Sequence, residues 1–298
     1  MNGQELVQQI INGLALGSTY ALLALGLAML FSVMGLINFA HGELLTISGY
    51  TMWFLTLRGV PFAVVVPATL VSAALAAVVM ERLAFRPLRG ASIVTLLITS
   101  FAVSYFIQNA LGIGISQTPK AVPVPDWLNG VINADGFTIS RLQVLTTAAT
   151  LGALALVTLF LRRTLLGVSL RAAADDFTMV RLMGIRANVV VMTAFAISGL
   201  LAGIAAILYI SQATAVDPLT GTIPIIKAFI AVVIGGGLGS LSGAVVGGFT
   251  LGFLEVILQA TLPVGALPFR DAFALLIVIA ILLFRPQGIV GRRLETRV

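Results

Sequence analysis

The sequence predicts an all-α fold, a polytopic transmembrane helical bundle with seven clear spans plus a glycine-hinged broken or re-entrant pair of helices. Three observations carry that expectation. Of the 298 residues, 59% are hydrophobic and only 9% are charged, against about 25% charged in an ordinary soluble domain. Stretches free of Asp, Glu, Lys and Arg recur at lengths that suit a bilayer. The arginines gather between those stretches rather than in one basic patch. A chain with so little polar surface needs membrane lipid as the solvent for most of its exterior.

The first such stretch is Leu6–Gly42. It follows an N-terminus charged only at Glu5, with no basic region or small-residue cleavage site, which disfavours a cleaved signal peptide. Gly59–Met80, Gly90–Pro119, Leu142–Leu161 and Ala187–Val216 each supply the roughly 20 apolar residues of a crossing. Two shorter runs, Leu44–Leu57 and Ala272–Phe284, complete the seven if their flanks sit in the interface, and the second stops at Arg285-Pro286.

The stretch Lys227–Leu262 is too long for one crossing and marginal for two. Its middle, Gly235-Gly236-Gly237-Leu238-Gly239-Ser240, has poor helix propensity. A broken or re-entrant hairpin is expected there, inside the bundle, because irregular backbone at membrane depth needs protein or water to satisfy it. Gly235, Gly239, Gly243 and Gly247 recur every four residues, as do the pairs Gly13/Gly17, Gly199/Gly203 and Gly248/Gly252. On a helix that spacing stacks glycines on one face and lets a neighbour approach closely. Tight packing and a pore-lining or hinge role are both open for Gly235, Gly236, Gly237, Gly239 and Gly243.

Twelve of the 15 arginines fall in three clusters: Arg82, Arg86 and Arg89; Arg162, Arg163, Arg171, Arg181 and Arg186; and Arg285, Arg292, Arg293 and Arg297. The positive-inside rule places all three in the cytoplasm. The segment 114–140, with Asp126, Asp135, three prolines and Trp127, reads as an external loop. A cytoplasmic C-terminus and an external N-terminus then require an odd number of crossings. The whole of 1–298 reads as one transmembrane domain.

Several chemistries are excluded. With no cysteine and one histidine, neither disulfides, thiolate nucleophiles nor a familiar zinc cluster can form, so no metal site is expected. Scattered arginine clusters argue against nucleic-acid binding. A phosphate loop of the form GxxxxGK[ST] requires a Gly-Lys pair, and the chain has none, so any ATP that drives it binds elsewhere. No HExxH, GxSxG or paired-carboxylate motif points to an enzyme.

Between Arg162-Arg163 and the next apolar run, residues 170–185 read as a short cytoplasmic helix ending near Gly184, a good C-cap residue. Phe177, Val180, Leu182 and Met183 form its expected apolar side, with Asp175, Asp176 and Arg181 polar. Such a helix docks on a partner or packs on the membrane interface. Asn38, His41 and Glu43 lie just past the first apolar run, as an interfacial network at its cytoplasmic end or as a gate. Glu255 interrupts an apolar segment and has Gln259 four residues on, on the same helix face, as a functional carboxylate or a helix–helix contact. Lys227 and Asp217 are expected near the external surface, where snorkelling is easy.

The sequence resembles the permease subunits of the branched-chain amino acid ABC importer family through most of its length. The matching residues are Gly13 to Leu22, Asn38-Phe39-Ala40-His41-Gly42-Glu43, Glu81-Arg82 with Arg86-Pro87-Leu88-Arg89-Gly90, and Arg171-Ala172 through Asp175 to Gly184-Ile185. Lys227-Ala228-Phe229, Gly236 to Ser240, Gly252 with Glu255, and Arg285-Pro286-Gln287-Gly288 continue the match.

The resemblance implies a second permease, either homologous or another copy, two ABC ATP-binding subunits that hold ATP and Mg, and a periplasmic solute-binding protein. It also implies that 162–186 contains the coupling helix, with Arg171, Ala172, Ala173, Asp175, Asp176, Phe177, Arg181, Met183 and Gly184 at the ATPase groove. The expected function is ATP-driven import of branched-chain amino acids or a similar solute such as urea, short amides or aromatic acids, with no catalysis in this chain. A stand-alone secondary transporter or channel is the alternative, and it calls for several intramembrane ionisable groups.

Overall fold

A computed structural model of the chain describes residues 3–134, 137–237 and 239–290. Arg292, Arg293 and Arg297 of the third arginine cluster, Asp135 of the loop and Leu238 of the glycine run lie outside the described residues. The fold is a helical bundle, and among the described residues seven helical stretches are long and apolar enough to cross a membrane.

Helix α1 (Gly3–Met34) is the axis of the bundle. At about 1.5 Å per residue it is about 48 Å long, more than the hydrocarbon core requires. The chain reverses at Gly35 (φ +65°) and runs back along α1 without helical structure, and α2 (His41–Leu57) then starts beside Gly26. That start is about two turns inside the end of α1. The 17-residue α2 is therefore shorter than a full span.

Helix α3 (Phe62–Met80) returns and continues through a π-type turn and a 3₁₀ turn to Leu88. Helix α4 (Ile93–Gly114) is capped by Ser92, whose hydroxyl accepts from the Thr95 amide at 3.2 Å.

The expected external loop carries strands β1 (Lys120–Ala121), β2 (Val131–Ala134) and β3 (Phe137–Ser140), the last two paired antiparallel with Val131 opposite Ser140. Trp127 there packs edge-on to Phe62, with ring centroids 6.5 Å apart. Helix α5 (Arg141–Arg163) starts in a capping box of Ser140 and Gln143. Two short helices, α6 (Leu165–Asp175) and α7 (Phe177–Leu182), lead into α8 (Ala187–Ala213). Strand β4 (Ala215–Val216) pairs antiparallel with β1.

The stretch 227–262 resolves into an antiparallel pair, α9 (Thr222–Gly236) and α10 (Leu241–Thr261). Their turn does not lie at mid-depth. The Ser32 hydroxyl near the end of α1 donates to the Gly239 carbonyl at 3.3 Å, and the Ile289 and Val290 amides donate to Ile234 and Gly235, each at 2.9 Å. The irregular backbone inside the bundle is instead the run 35–40 before α2, joined by the buried Pro218 and Gly221 of the turn before α9. Helix α11 (Arg270–Phe284) is the last helix among the described residues.

Small residues explain the close packing. On α10, a side chain at Gly248 would strike the backbone of Ala21, and one at Gly252 the backbone of Gly17. Within the α9/α10 pair, Gly235 faces the Gly243 carbonyl and Gly247 faces that of Ala231. Helices α1 and α8 are enclosed over 83% and 67% of their most apolar windows, against 11% for α4, so α4 is peripheral.

Arg82, Arg86, Arg89, Arg162, Arg163, Arg171, Arg181, Arg186 and Arg285 all lie at the end of the bundle where α1 stops. The paired strands lie at the other, where the Gln8 side chain bonds both the amide and the carbonyl of Thr138.

Candidate functional site

Two buried polar clusters and one exposed segment hold the residues singled out in the sequence. The first cluster forms where α2 and α9 begin. Gly42 and Gly221 approach there so closely that neither tolerates a Cβ, and the Gly221 amide donates to Thr46 Oγ1 at 3.1 Å. The helices then run to opposite ends of the bundle.

Glu43, in the first turn of α2, is 1% exposed. Its Oε1 accepts from Ser104 Oγ at 2.8 Å and Gln108 Nε2 at 2.7 Å, and the Thr46 hydroxyl lies beside the same carboxylate. Gln108 Nε2 also donates to Thr222 Oγ1 at 3.2 Å, so one carboxylate ties α2, α4 and α9 together. The hydroxyl and amide donors and the positive end of α2 offset the cost of burying it.

His41 is fully buried, with Nδ1 3.2 Å from Ser198 Oγ. Ser198 gives its proton to the Gly26 carbonyl at 2.9 Å. It can therefore only accept from His41, which fixes the Nδ1–H tautomer and leaves Nε2 as an acceptor without a partner. Asn38 is also fully buried, its amide 3.9 Å from Met80 Sδ and its Oδ1 unpartnered. The interfacial network expected at the end of the first span is not what forms. The chain turns back at Gly35 and carries all three side chains into the bundle.

The second cluster is centred on Glu255 of α10, 1% exposed. Lys227 Nζ lies 2.9 Å from its Oε1 and 3.0 Å from its Oε2, Tyr20 donates to Oε2 at 3.0 Å, and Arg270 stands 3.6 Å away. Arg270 also reaches Gln259 Oε1 at 3.1 Å, so Glu255 and Gln259 share a face and a partner. Asp271 completes the group, 3.3 Å from Lys227 and 3.2 Å from Arg270.

Lys227 does not snorkel outward as the sequence suggested. Its side chain is 13% exposed, turned inward because an unpaired carboxylate at Glu255 would be far costlier. Asp217, by contrast, stays in its loop and accepts from the Leu219 amide at 2.7 Å. A cavity of about 130 Å³ opens beside this cluster between α9 and α11.

Tyr20, Thr46, Ser104, Gln108, Ser198, Thr222, Arg270 and Asp271 are the members that sequence reasoning missed. A usable signal existed for two of them: Ser104 and Gln108 are polar at four-residue spacing in an apolar run.

The segment 165–186 is two helices rather than one. Asp176 breaks the run and caps α7, its Oδ1 accepting from the Thr178 and Met179 amides at 2.9 Å each, and Gly184 ends it with φ +77°. The expected apolar side divides. Val180 is buried, whereas Leu182 and Met183 are 75% and 80% exposed; Met179, outside that expected side, is 59% exposed as well. Asp175, Asp176 and Arg181 are exposed as well, while Ala173 is buried and Ala172 and Phe177 half-buried. Ala173, Asp175 and Phe177 line a second cavity, of about 400 Å³, against Arg89 and the end of α1.

A family model described as branched-chain amino acid transport system / permease component matches residues 9–283. The high-affinity branched-chain amino acid transport system permease protein BraD of Pseudomonas aeruginosa is 37% identical, over 96% of this chain and 96% of that protein. LivH of Escherichia coli, whose name gives the same system and role, is 32% identical over the same shares. The ribose import permease protein RbsC of Escherichia coli is 28% identical over 50% of this chain and 42% of its own. The helical bundle, its spans and the end-to-end match agree, and the chain belongs to the family of permease components of branched-chain amino acid transport systems.

Proposed function

We propose that this chain is the non-catalytic membrane subunit of an ATP-driven importer that passes branched-chain amino acids across a bacterial inner membrane. The observation that carries the reading is the end-to-end similarity to permeases named for high-affinity branched-chain amino acid transport. Those names favour this solute over urea, short amides or aromatic acids.

The arginine-rich end is cytoplasmic, which puts the N-terminus outside and the paired strands toward a periplasmic solute-binding protein. Segment 165–186 is the seat of an ATP-binding subunit. Three exposed apolar side chains, Met179, Leu182 and Met183, beside exposed Asp175 and Arg181 suit a groove on a partner protein. A second permease, homologous or a further copy, completes the pathway. Gly235, Gly236, Gly237 and Gly239, where α9 gives way to α10, support relative motion of the two helices. Asn38, His41 and Glu43 act as a gate, because α2, α4 and α9 separate only if the hydrogen bonds to Glu43 break. A stand-alone ion-coupled carrier is less well supported, since Glu255 is already closed by Lys227 and Tyr20.

The test is reconstitution with ATP-binding subunits and binding protein, followed by uptake of labelled leucine. ATP-dependent uptake is expected, and ATP-independent uptake by the chain alone would overturn the reading. Gly184→Pro and Asp175→Arg are expected to abolish co-purification of the ATP-binding subunit while leaving membrane insertion intact. Survival of the complex in both would remove the coupling assignment.

A further inference from the structure

The cavity between α9 and α11 is built like a small amphiphile. One wall is aliphatic: Ile223, Ile226 and Ile230 fall at three- and four-residue spacing along α9 and face Leu251 of α10 with Ala274 and Leu275 of α11. The remaining lining residues are Lys227, Glu255 and Asp271. At about 130 Å³ it is far below the size of a pocket for a drug-sized ligand and suits one short aliphatic group.

The charges are not equally committed. Lys227 holds Glu255 at 2.9 and 3.0 Å, and Asp271 only at 3.3 Å. Glu255 is 1% exposed with three donors around it, Lys227, Tyr20 and Arg270, whereas the Asp271 side chain is 51% exposed at the mouth. The Lys227–Asp271 contact is thus the one that opens at least cost, since Arg270 still neutralises Asp271 and Glu255 still neutralises Lys227. Opening it leaves an ammonium and a carboxylate facing each other across a gap floored by aliphatic side chains.

We propose that this cavity is a solute-binding site for a zwitterion with a short branched aliphatic side chain. The solute carboxylate pairs with Lys227, its ammonium with Asp271, and its side chain lies along Ile223, Ile226 and Ile230. Two ion pairs replace one, and the site stays neutral. This rests on the importer reading above and adds to it the place where the permease holds its solute.

The experiment measures saturable binding of tritiated L-leucine to the purified permease in phosphatidylcholine nanodiscs. Competitors are 4-methylpentanoate, which lacks the ammonium, 3-methylbutylamine, which lacks the carboxylate, and glycine, which lacks the side chain. Leucine is expected to bind and each competitor to be at least about tenfold weaker, the loss of one charged hydrogen bond or of the aliphatic contact. Asp271→Asn, isosteric and half exposed, and Ile226→Trp, which fills the cleft without touching an ion pair, are each expected to weaken leucine about tenfold.

Several results would overturn the site. They are equal competition by the single-charge analogues, unchanged affinity in both variants, no saturable binding up to about 10 mM, or a phospholipid in native mass spectra that leucine does not displace. The two variants are then placed in the reconstituted complex. Normal ATP-driven uptake in both would sink the site and leave the importer standing, whereas no ATP-driven uptake by the wild type would sink the importer reading itself.

Discussion

Lys227 and Glu255 close on each other inside the bundle, with Nζ 2.9 Å from Oε1 and 3.0 Å from Oε2, from helices whose residues are 28 apart in sequence. Breaking a buried pair by removing one partner leaves the other charge uncompensated, at a cost of about 3–5 kcal/mol. Arg270 and Tyr20 remain beside Glu255, so Lys227→Met is expected to destabilise the detergent-solubilised protein by the lower end of that range, ~3 kcal/mol. The double variant Lys227→Met/Glu255→Gln is expected to recover part of the loss. Thermal unfolding of the four members of the cycle checks this, and additive losses would show that the pair is not coupled.

Gly252 of α10 lies against the backbone of Gly17, so Gly252→Leu pushes two central helices apart. Overpacking against backbone is expected to cost about 2 kcal/mol or more. Gly152, on the exposed side of α5, has nothing within 4 Å of where a Cβ would stand. Gly152→Leu is expected to be neutral or mildly stabilising through helix propensity. Melting temperatures of the two variants, measured side by side, should move in opposite directions or by clearly different amounts.

The Glu43 bridge makes a separate prediction. Glu43→Ala leaves Ser104, Gln108 and Thr46 without their shared acceptor. A loss of about 1–3 kcal/mol is expected, and combining Glu43→Gln with Gln108→Leu should be less than additive. In the reconstituted importer the same substitutions are expected to change basal, binding-protein-independent ATP hydrolysis, and unchanged hydrolysis would argue against a gate at this junction.

At the arginine-rich end, Leu182→Asp and Met183→Asp alter side chains that are 75% and 80% exposed. Folding is expected to be unchanged, because surface substitutions rarely exceed about 0.5 kcal/mol. Retention of the ATP-binding subunit on affinity resin is expected to fall at least about tenfold, as loss of an apolar anchor from a groove would give. Val180→Asp, at a buried position on the same helix, should instead lower stability itself.

The bundle was legible because lipid imposes its requirement on every exposed position, so a run such as Ala187–Val216 announces itself without reference to any partner. The four-residue glycine spacing was legible for a related reason, since helical periodicity is local. The clusters were not, because their members meet across long separations: Tyr20 and Glu255 are 235 residues apart and Glu43 and Gln108 are 65. A lone cation and a lone carboxylate in neighbouring apolar stretches, Lys227 and Glu255, were visible as such, but their pairing needed the antiparallel arrangement of α9 and α10. The reversal at Gly35 was also hidden. It changes Asn38, His41 and Glu43 from the end of one span into the interior of the bundle, and nothing in Leu36-Ile37-Asn38-Phe39 distinguishes an outgoing chain from one that folds back.

The balance of Lys227 and Arg270 against Glu255 and Asp271 has an electrical consequence. A charge carried across a membrane couples to its potential at about 2.3 kcal/mol per 100 mV. A site whose fixed charges cancel, holding a solute whose own charges cancel, moves no net charge when it turns from one side to the other. The voltage across the membrane then neither assists nor opposes accumulation, and uptake into vesicles should proceed at the same rate whether a potassium diffusion potential is imposed or collapsed.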